Sequence, residues 1–273
     1  MKIISDSVSI NFEYFNSFEP ERKTILMLHG FTGSLNDWQE IHASLNPKFN
    51  YIGIDLVGHG KSDSPADVNK YDPQSIVKHI NDILINLSIE QVIIFGYSMG
   101  GRAALSFAIN HPNKIIGLIL ESTTAGIESE KIRNERIKID EELADYIESH
   151  SIEEFVELWM NKEIFNTQRR FSNEKLKNIR KKKTLNSKIG LVNSLRGIGT
   201  GRMGYFGNKL NQINCPVLLI TGELDTKFTK INSALKKKFP NAKHKIIKNA
   251  GHNTHLEEPM KFVKAVNEFL KIF

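Results

Sequence analysis

Six short apolar runs punctuate the chain, and helix-length amphipathic segments fall between most of them. Residues 24–30 (TILMLHG), 51–56 (YIGIDL), 91–98 (QVIIFGYS), 114–122 (KIIGLILES), 216–223 (PVLLITGE) and 243–251 (KHKIIKNAG) predict strands. Most are too uniformly apolar for a sheet with one face in water. Residues 73–87, 100–112, 231–239 and 257–273 carry apolar positions at helical spacing. Alternation of this kind predicts an α/β fold with a mostly parallel, doubly wound sheet and right-handed crossovers. The first fifteen residues, MKIISDSVSINFEYF, alternate like one further strand.

From about 126 to 208 the rhythm breaks. The segment is charged and lacks strand-like runs, and EKIRNERIKIDEELADYIES and IEEFVELWMNKEIF within it are amphipathic. This predicts a helical cap over residues 126–208, inserted between the fourth and fifth runs. Residues 1–125 and 209–273 would then form the α/β core.

At 273 residues and 40% hydrophobic, the chain can bury one sizeable core. Its formal charge of +6 comes from scattered lysines, apart from runs at 177–183 and 236–238. Such runs are usually solvated helix faces, and no nucleic-acid signature accompanies them. No nucleic-acid partner is therefore expected; a basic site for an anionic small molecule is. The single cysteine, Cys215, lies in an apolar run and reads as a small hydrophobe, with no disulfide framework. The N-terminus has no apolar leader core, and no run of about 18 apolar residues marks a membrane span. The expectation is a cytoplasmic protein without membrane insertion.

Chemistry enters at Gly96-Tyr97-Ser98-Met99-Gly100, which follows a strand and opens a helix. That context suits a nucleophile elbow, in which glycines permit a crowded turn and the serine hydroxyl rises above the sheet edge. A serine needs a histidine oriented by a carboxylate. Asp225 in TGELDTKF and His252 in NAGHNTH follow the last two predicted strands, so their loops leave the same sheet edge. Ser98, His252 and Asp225 are the expected triad, with Glu223 a substitute for Asp225 and His255 a neighbouring polar side chain. Gly30 lets the backbone come close after the first run, so the Phe31 and Met99 amides could form an oxyanion hole. His29, Asp55 and His59 read as architecture.

Arg102 lies one helical turn beyond Ser98, where a guanidinium could fork onto a substrate carboxylate. Through LHGFTGS, IDLVGHGKS, GYSMGG, GELD and AGHNTHLEEP, the sequence resembles the α/β-hydrolase superfamily over essentially its full length. Through GYSMGGRAAL, LRGIGTGRM, GELDTKF and the cap, it resembles the menaquinone-pathway 2-succinyl-6-hydroxy-2,4-cyclohexadiene-1-carboxylate synthases, often called MenH. That resemblance implies the α/β-hydrolase fold and a lyase. Its reaction eliminates pyruvate from a succinylated enolpyruvyl cyclohexene carboxylate, with the triad as general base and no metal or organic cofactor. It implies Tyr97 and Arg102 beside the serine as substrate-holding residues, and Trp159 and Arg136 from the cap, with Arg133 as the rival of Arg136. Lys183, with Arg180 as its rival, stands where the family has a further arginine. The partner is then a small polycarboxylate. A carboxylesterase, thioesterase or carbon–carbon bond hydrolase using Ser98 as nucleophile is the alternative. A non-catalytic small-molecule receptor on the same fold is more remote.

Overall fold

Uniformly apolar strands need cover on both faces, and the computed structural model, which describes residues 1–273, provides it. The strands are β1 (Lys2–Ser5), β2 (Val8–Tyr14), β3 (Thr24–Leu28), β4 (Asn50–Ile54), β5 (Val92–Tyr97), β6 (Ile115–Glu121), β7 (Val217–Gly222) and β8 (Ala242–Ile247). The α-helices are α1 (Gln39–His42), α2 (Pro73–Asn86), α3 (Met99–Asn110), α4 (Glu130–Ser149), α5 (Ile152–Met160), α6 (Asn173–Thr184), α7 (Lys188–Ile198), α8 (Thr226–Lys236), α9 (Thr254–Glu257) and α10 (Pro259–Leu270). The sheet runs β1-β2-β4-β3-β5-β6-β7-β8. Strands β3 to β8 are parallel, while β2 pairs antiparallel with both β1 and β4.

Alternate residues of each central strand feed different cores. Leu26, Ile94 and Leu118 meet Ile80 of α2, Ala104 of α3 and Leu235 of α8 on one face. Ile25, Ile93 and Ile119 meet Ile41 of α1 and Phe262 and Val266 of α10 on the other. Every residue of β3, β4, β5 and β7 is buried as a result. A third, smaller cluster ties together the helices between β6 and β7: Ala144 and Ile147 of α4, Phe155 and Val156 of α5, and Leu191 and Leu195 of α7. Phe31, from the loop after β3, packs against it.

Four local expectations change. The N-terminal segment is a hairpin, because Asp6 and Ser7 both adopt positive φ (50° and 63°) and turn the chain back between paired Ser5 and Val8. β8 ends at Ile247, so residues 248–253 are free to form a loop, and its exposed lysines blunt the sheet edge. Helix α8 begins at Thr226 rather than 231 because the Asp225 side chain caps it, accepting from Phe228 N. The C-terminal helix starts at Pro259, with the separate turn α9 before it.

Candidate active site

The turn between β5 and α3 consists of one residue, Ser98, with φ 48° and ψ −103°. A side chain at that φ is strained by about 1–3 kcal/mol, so its surroundings must hold it. Ser98 N donates to Glu121 O at 2.8 Å, and Ser98 O accepts from Thr123 Oγ1 at 2.8 Å and Arg102 N at 3.1 Å. The flanking glycines allow the crowding. A Cβ on Gly96 would stand 2.4 Å from Gly100 O, and one on Gly100 would stand 2.2 Å from Leu28 O.

The end loops of β7 and β8 bring the partners. Asp225 Oδ1 accepts from Phe228 N at 3.0 Å, leaving Oδ2 to accept from His252 Nδ1–H at 2.7 Å. That fixes the tautomer, so His252 Nε2 is the acceptor that faces Ser98 Oγ at 3.2 Å. Asp225 and His252 are both buried. Phe228 meets the imidazole edge-on at 4.5 Å, and Tyr97 and Phe165 lie 5.6 and 6.3 Å from it. Glu223 instead accepts from Asn249 N.

The histidine loop hangs from two buried carboxylates. Glu121, at the end of β6, accepts from Thr254 Oγ1 (2.6 Å), His255 N (3.0 Å) and His255 Nδ1–H (2.7 Å). Glu257 accepts from Gly251 N (2.8 Å) and Asn253 N (3.4 Å). His255 is thereby a structural partner, as its sequence context suggested.

Opposite the elbow, the Phe31 amide has no hydrogen-bond partner in the chain. Met99 N belongs to the first turn of α3, where amides have no intrahelical acceptor. Both donors are available for an oxyanion. The nearby polar groups are consumed by folding: His29 donates to Gly30 O and accepts from Leu56 N, and Asp55 accepts from Asn11, Leu35 and Lys61. His59 donates to Val57 O and accepts from Thr32 N, and burial pushes it down to about 3.

Arg102 is half-buried, and its Nη2 donates to Ile198 O at the end of α7 at 2.9 Å. Nε has no partner. Burial, then the charge of Arg136, lowers Arg102 to about 10, while Asp140 works against that. Arg136 donates to Asp140 Oδ1 at 2.9 Å. The two guanidiniums therefore lie near one carboxylate, that of Asp140. Arg133 instead reaches Ile127 O. Lys183 Nζ donates to Thr32 Oγ1 at 2.7 Å, and burial lowers its pKa. Arg180 pairs with Glu157 on the surface. A cavity of about 300 Å³ is walled by Phe31, Tyr97, Phe165 and Lys183, whereas Arg102 and Arg136 are not among its walls. Trp159 packs edge-on against Phe31 at 5.1 Å with a buried, unpartnered Nε1. No group of three or more His, Cys, Asp or Glu side chains is arranged to hold a metal ion.

The profile of the alpha/beta hydrolase fold family matches residues 23–259. A Bacillus subtilis (strain 168) protein named "Putative 2-succinyl-6-hydroxy-2,4-cyclohexadiene-1-carboxylate synthase" is 41% identical, over 91% of this chain and 90% of its own. The chain belongs to the alpha/beta hydrolase fold family, among its 2-succinyl-6-hydroxy-2,4-cyclohexadiene-1-carboxylate synthases. A synthase of that name from Enterobacter sp. (strain 638) is 29% identical over 91% of this chain and 92% of its own. The solved structure described as MenH from S. aureus superposes with a TM-score of 0.91 at 32% identity, covering 96% of this chain and 98% of that one. A thermophilic esterase from Thermogutta terrifontis, 22% identical with a TM-score of 0.85 over 100% of this chain and 98% of its own, shares the fold alone.

Within this synthase branch of the family, the sequence does not single out Glu121 and Glu257, which hold the histidine loop, nor three further residues around the site. Asp140 sits one turn from Arg136, a spacing that could have flagged it. Phe165 joins Trp159 to His252 through ring contacts. Thr32, at φ 65°, holds Lys183 in place.

Proposed function

We propose that this chain eliminates pyruvate from a succinylated enolpyruvyl cyclohexene carboxylate to give 2-succinyl-6-hydroxy-2,4-cyclohexadiene-1-carboxylate. Ser98, His252 and Asp225 form its proton-abstracting triad. The observation that carries this reading is the pairing of a hydrogen-bonded Ser98–His252–Asp225 relay with a half-buried arginine one turn away, whose Nε is unpartnered and which lies beside a second arginine. A neutral ester gives two neighbouring, half-buried guanidiniums nothing to bind, whereas a polycarboxylate does.

In this reading His252 Nε2 accepts the Ser98 proton, and the serine oxygen takes the carbon-bound proton of the substrate. Asp225 keeps the imidazole in register and supports its positive charge. Electrons from the broken C–H bond flow into the conjugated carbonyl, where the Phe31 and Met99 amides stabilise the developing oxyanion. Their return expels the enolpyruvyl oxygen, breaking the C–O bond, and the abstracted proton passes to the departing enol to give pyruvate. Arg102 and Arg136 hold a carboxylate, and Tyr97 and Lys183 line the space beside it. The unpartnered Trp159 Nε1 would gain an acceptor from the bound substrate, relieving a buried donor.

Residues 126–208 serve as the cap over a core of 1–125 and 209–273, and the partner is a small polycarboxylate met in the cytoplasm. No helix is long and apolar enough to cross a membrane. The test is pyruvate release, followed in a coupled assay on freshly generated substrate with the spontaneous rate subtracted. Rapid release that disappears in Ser98→Ala supports the lyase. Release at the blank rate, with turnover of simple esters or thioesters, returns the function to the hydrolases.

A further inference from the structure

His252 lies near the end of the 248–253 loop, and the polar groups on either side of it are divided between two buried acids. Glu121 secures the downstream half, Thr254 and His255, and belongs entirely to the sheet. Glu257 secures the amides immediately before and after His252, those of Gly251 and Asn253. Its side chain is 0% exposed, and the one cation within salt-bridge distance is Arg170, whose Nη2 lies 3.4 Å from Glu257 Oε2 and 3.7 Å from Glu258 Oε1.

Arg170 comes from the segment between β6 and β7, and it does not act alone. Thr167, three residues earlier, presses on the loop so closely that a Cβ on Gly251 would stand 2.2 Å from its Oγ1. Lys175, at the start of α6, donates to Leu256 O at 3.0 Å. Three contacts from one stretch of 167–175 therefore converge on the residues that carry His252.

We propose that Glu257 and Arg170 are positioning residues for His252, forming a latch through which seating of the helical segment aligns the imidazole with Ser98. The proposal rests on the triad reading above. A buried carboxylate with two amide donors is satisfied only in part by them, and the arginine supplies the remaining charge-assisted contact. Without it the carboxylate turns toward water and draws the Gly251 and Asn253 amides with it. Because His252 lies between those amides, its ring shifts relative to Ser98 Oγ.

The test uses the full chain with Arg170→Ala, Arg170→Lys and Glu257→Gln. One readout is the rate at which a fluorophosphonate probe modifies the activated Ser98 hydroxyl. The other is the downfield His252 Nδ1–H resonance in proton NMR and its exchange with solvent. Misplacement by about 1 Å costs roughly 10²-fold in rate, and Glu257→Gln is expected to approach that loss. Arg170→Ala is expected to slow modification several-fold, with kcat reduced, KM unchanged and Nδ1–H exchange accelerated, and Arg170→Lys to restore most of it. Wild-type rates and exchange in Arg170→Ala overturn the proposal. So does a loss in Arg170→Ala that Arg170→Lys fails to restore and that merely tracks a lower unfolding midpoint. If Glu257→Gln does not fold, the half-exposed arginine variants decide. If the wild-type protein resists the probe and Ser98→Ala turns over normally, the triad reading fails. The Nδ1–H exchange, which needs only the His252–Asp225 bond, still decides the latch.

Discussion

With Nε2 of His252 3.2 Å from Ser98 Oγ and Nδ1 committed to Asp225, the base role proposed for His252 requires this one tautomer. Asp225→Asn keeps the shape but lets the ring flip its proton, so kcat for pyruvate release is expected to fall about 10⁴-fold while the protein stays folded; a loss under tenfold would remove Asp225 from the relay. Arg102→Lys keeps the charge but cannot both bond Ile198 O and offer a fork, so KM is expected to rise about tenfold or more, the scale of one lost charge-assisted bond. Unchanged KM would make Arg102 a strut for α7. Ser98, His252 and Asp225, the residues of the proposed triad, stand out in the sequence because each falls just past an apolar run, and the end of a parallel strand is where such groups converge. Asp140 and Glu121 do not. An acid in a charged helix looks solvated, and an acid ending an apolar run looks like the first residue of a loop, yet both are buried by contacts from distant segments.

Elements obey their local signals except where a side chain or a neighbour intervenes. Helix α3 can enter the sheet edge because Gly100 meets Leu28 O directly, so Gly100→Ala must push the helix away from β3. About 1–3 kcal/mol of stability should be lost in urea unfolding, as in overpacked cores, and the fluorophosphonate reaction of Ser98 should slow as well; an unaltered midpoint would mean the turn is looser than its geometry implies. The start of α8 was hidden because its cap is also the acid proposed for the triad: Asp225 spends one oxygen on Phe228 N and the other on His252. The hairpin of β1 and β2 was missed because Asp6-Ser7 lacks the usual glycine signal for a turn with positive φ. Helices α4 and α5 were legible in outline, since each carries an amphipathic pattern.

Across the whole molecule, the buried histidines set the acid limit of stability. His59 and His79 are pushed down to about 3 and about 4 by burial, and both ring nitrogens of His79 lack partners. The unfolded chain takes up a proton near 6.5 while the folded one resists it, so stability is full above that pH and drains as the pH falls toward 4. Each group contributes up to about 1.4 kcal/mol per pH unit in its window. The urea midpoint is expected to drop steadily between pH 6.5 and 4.5, and His79→Met should flatten the decline; an identical slope would place the titration elsewhere. The order of the sheet carries a different lesson. β6 and β7 are neighbours although residues 122–216 lie between them. Closing a flexible loop costs only about 0.6 kcal/mol more for each doubling of its length. The sheet therefore tolerates a change in the length of residues 122–216 at little thermodynamic cost to the pairing of β6 with β7, and the chain has one seam at which its size is set independently of its core.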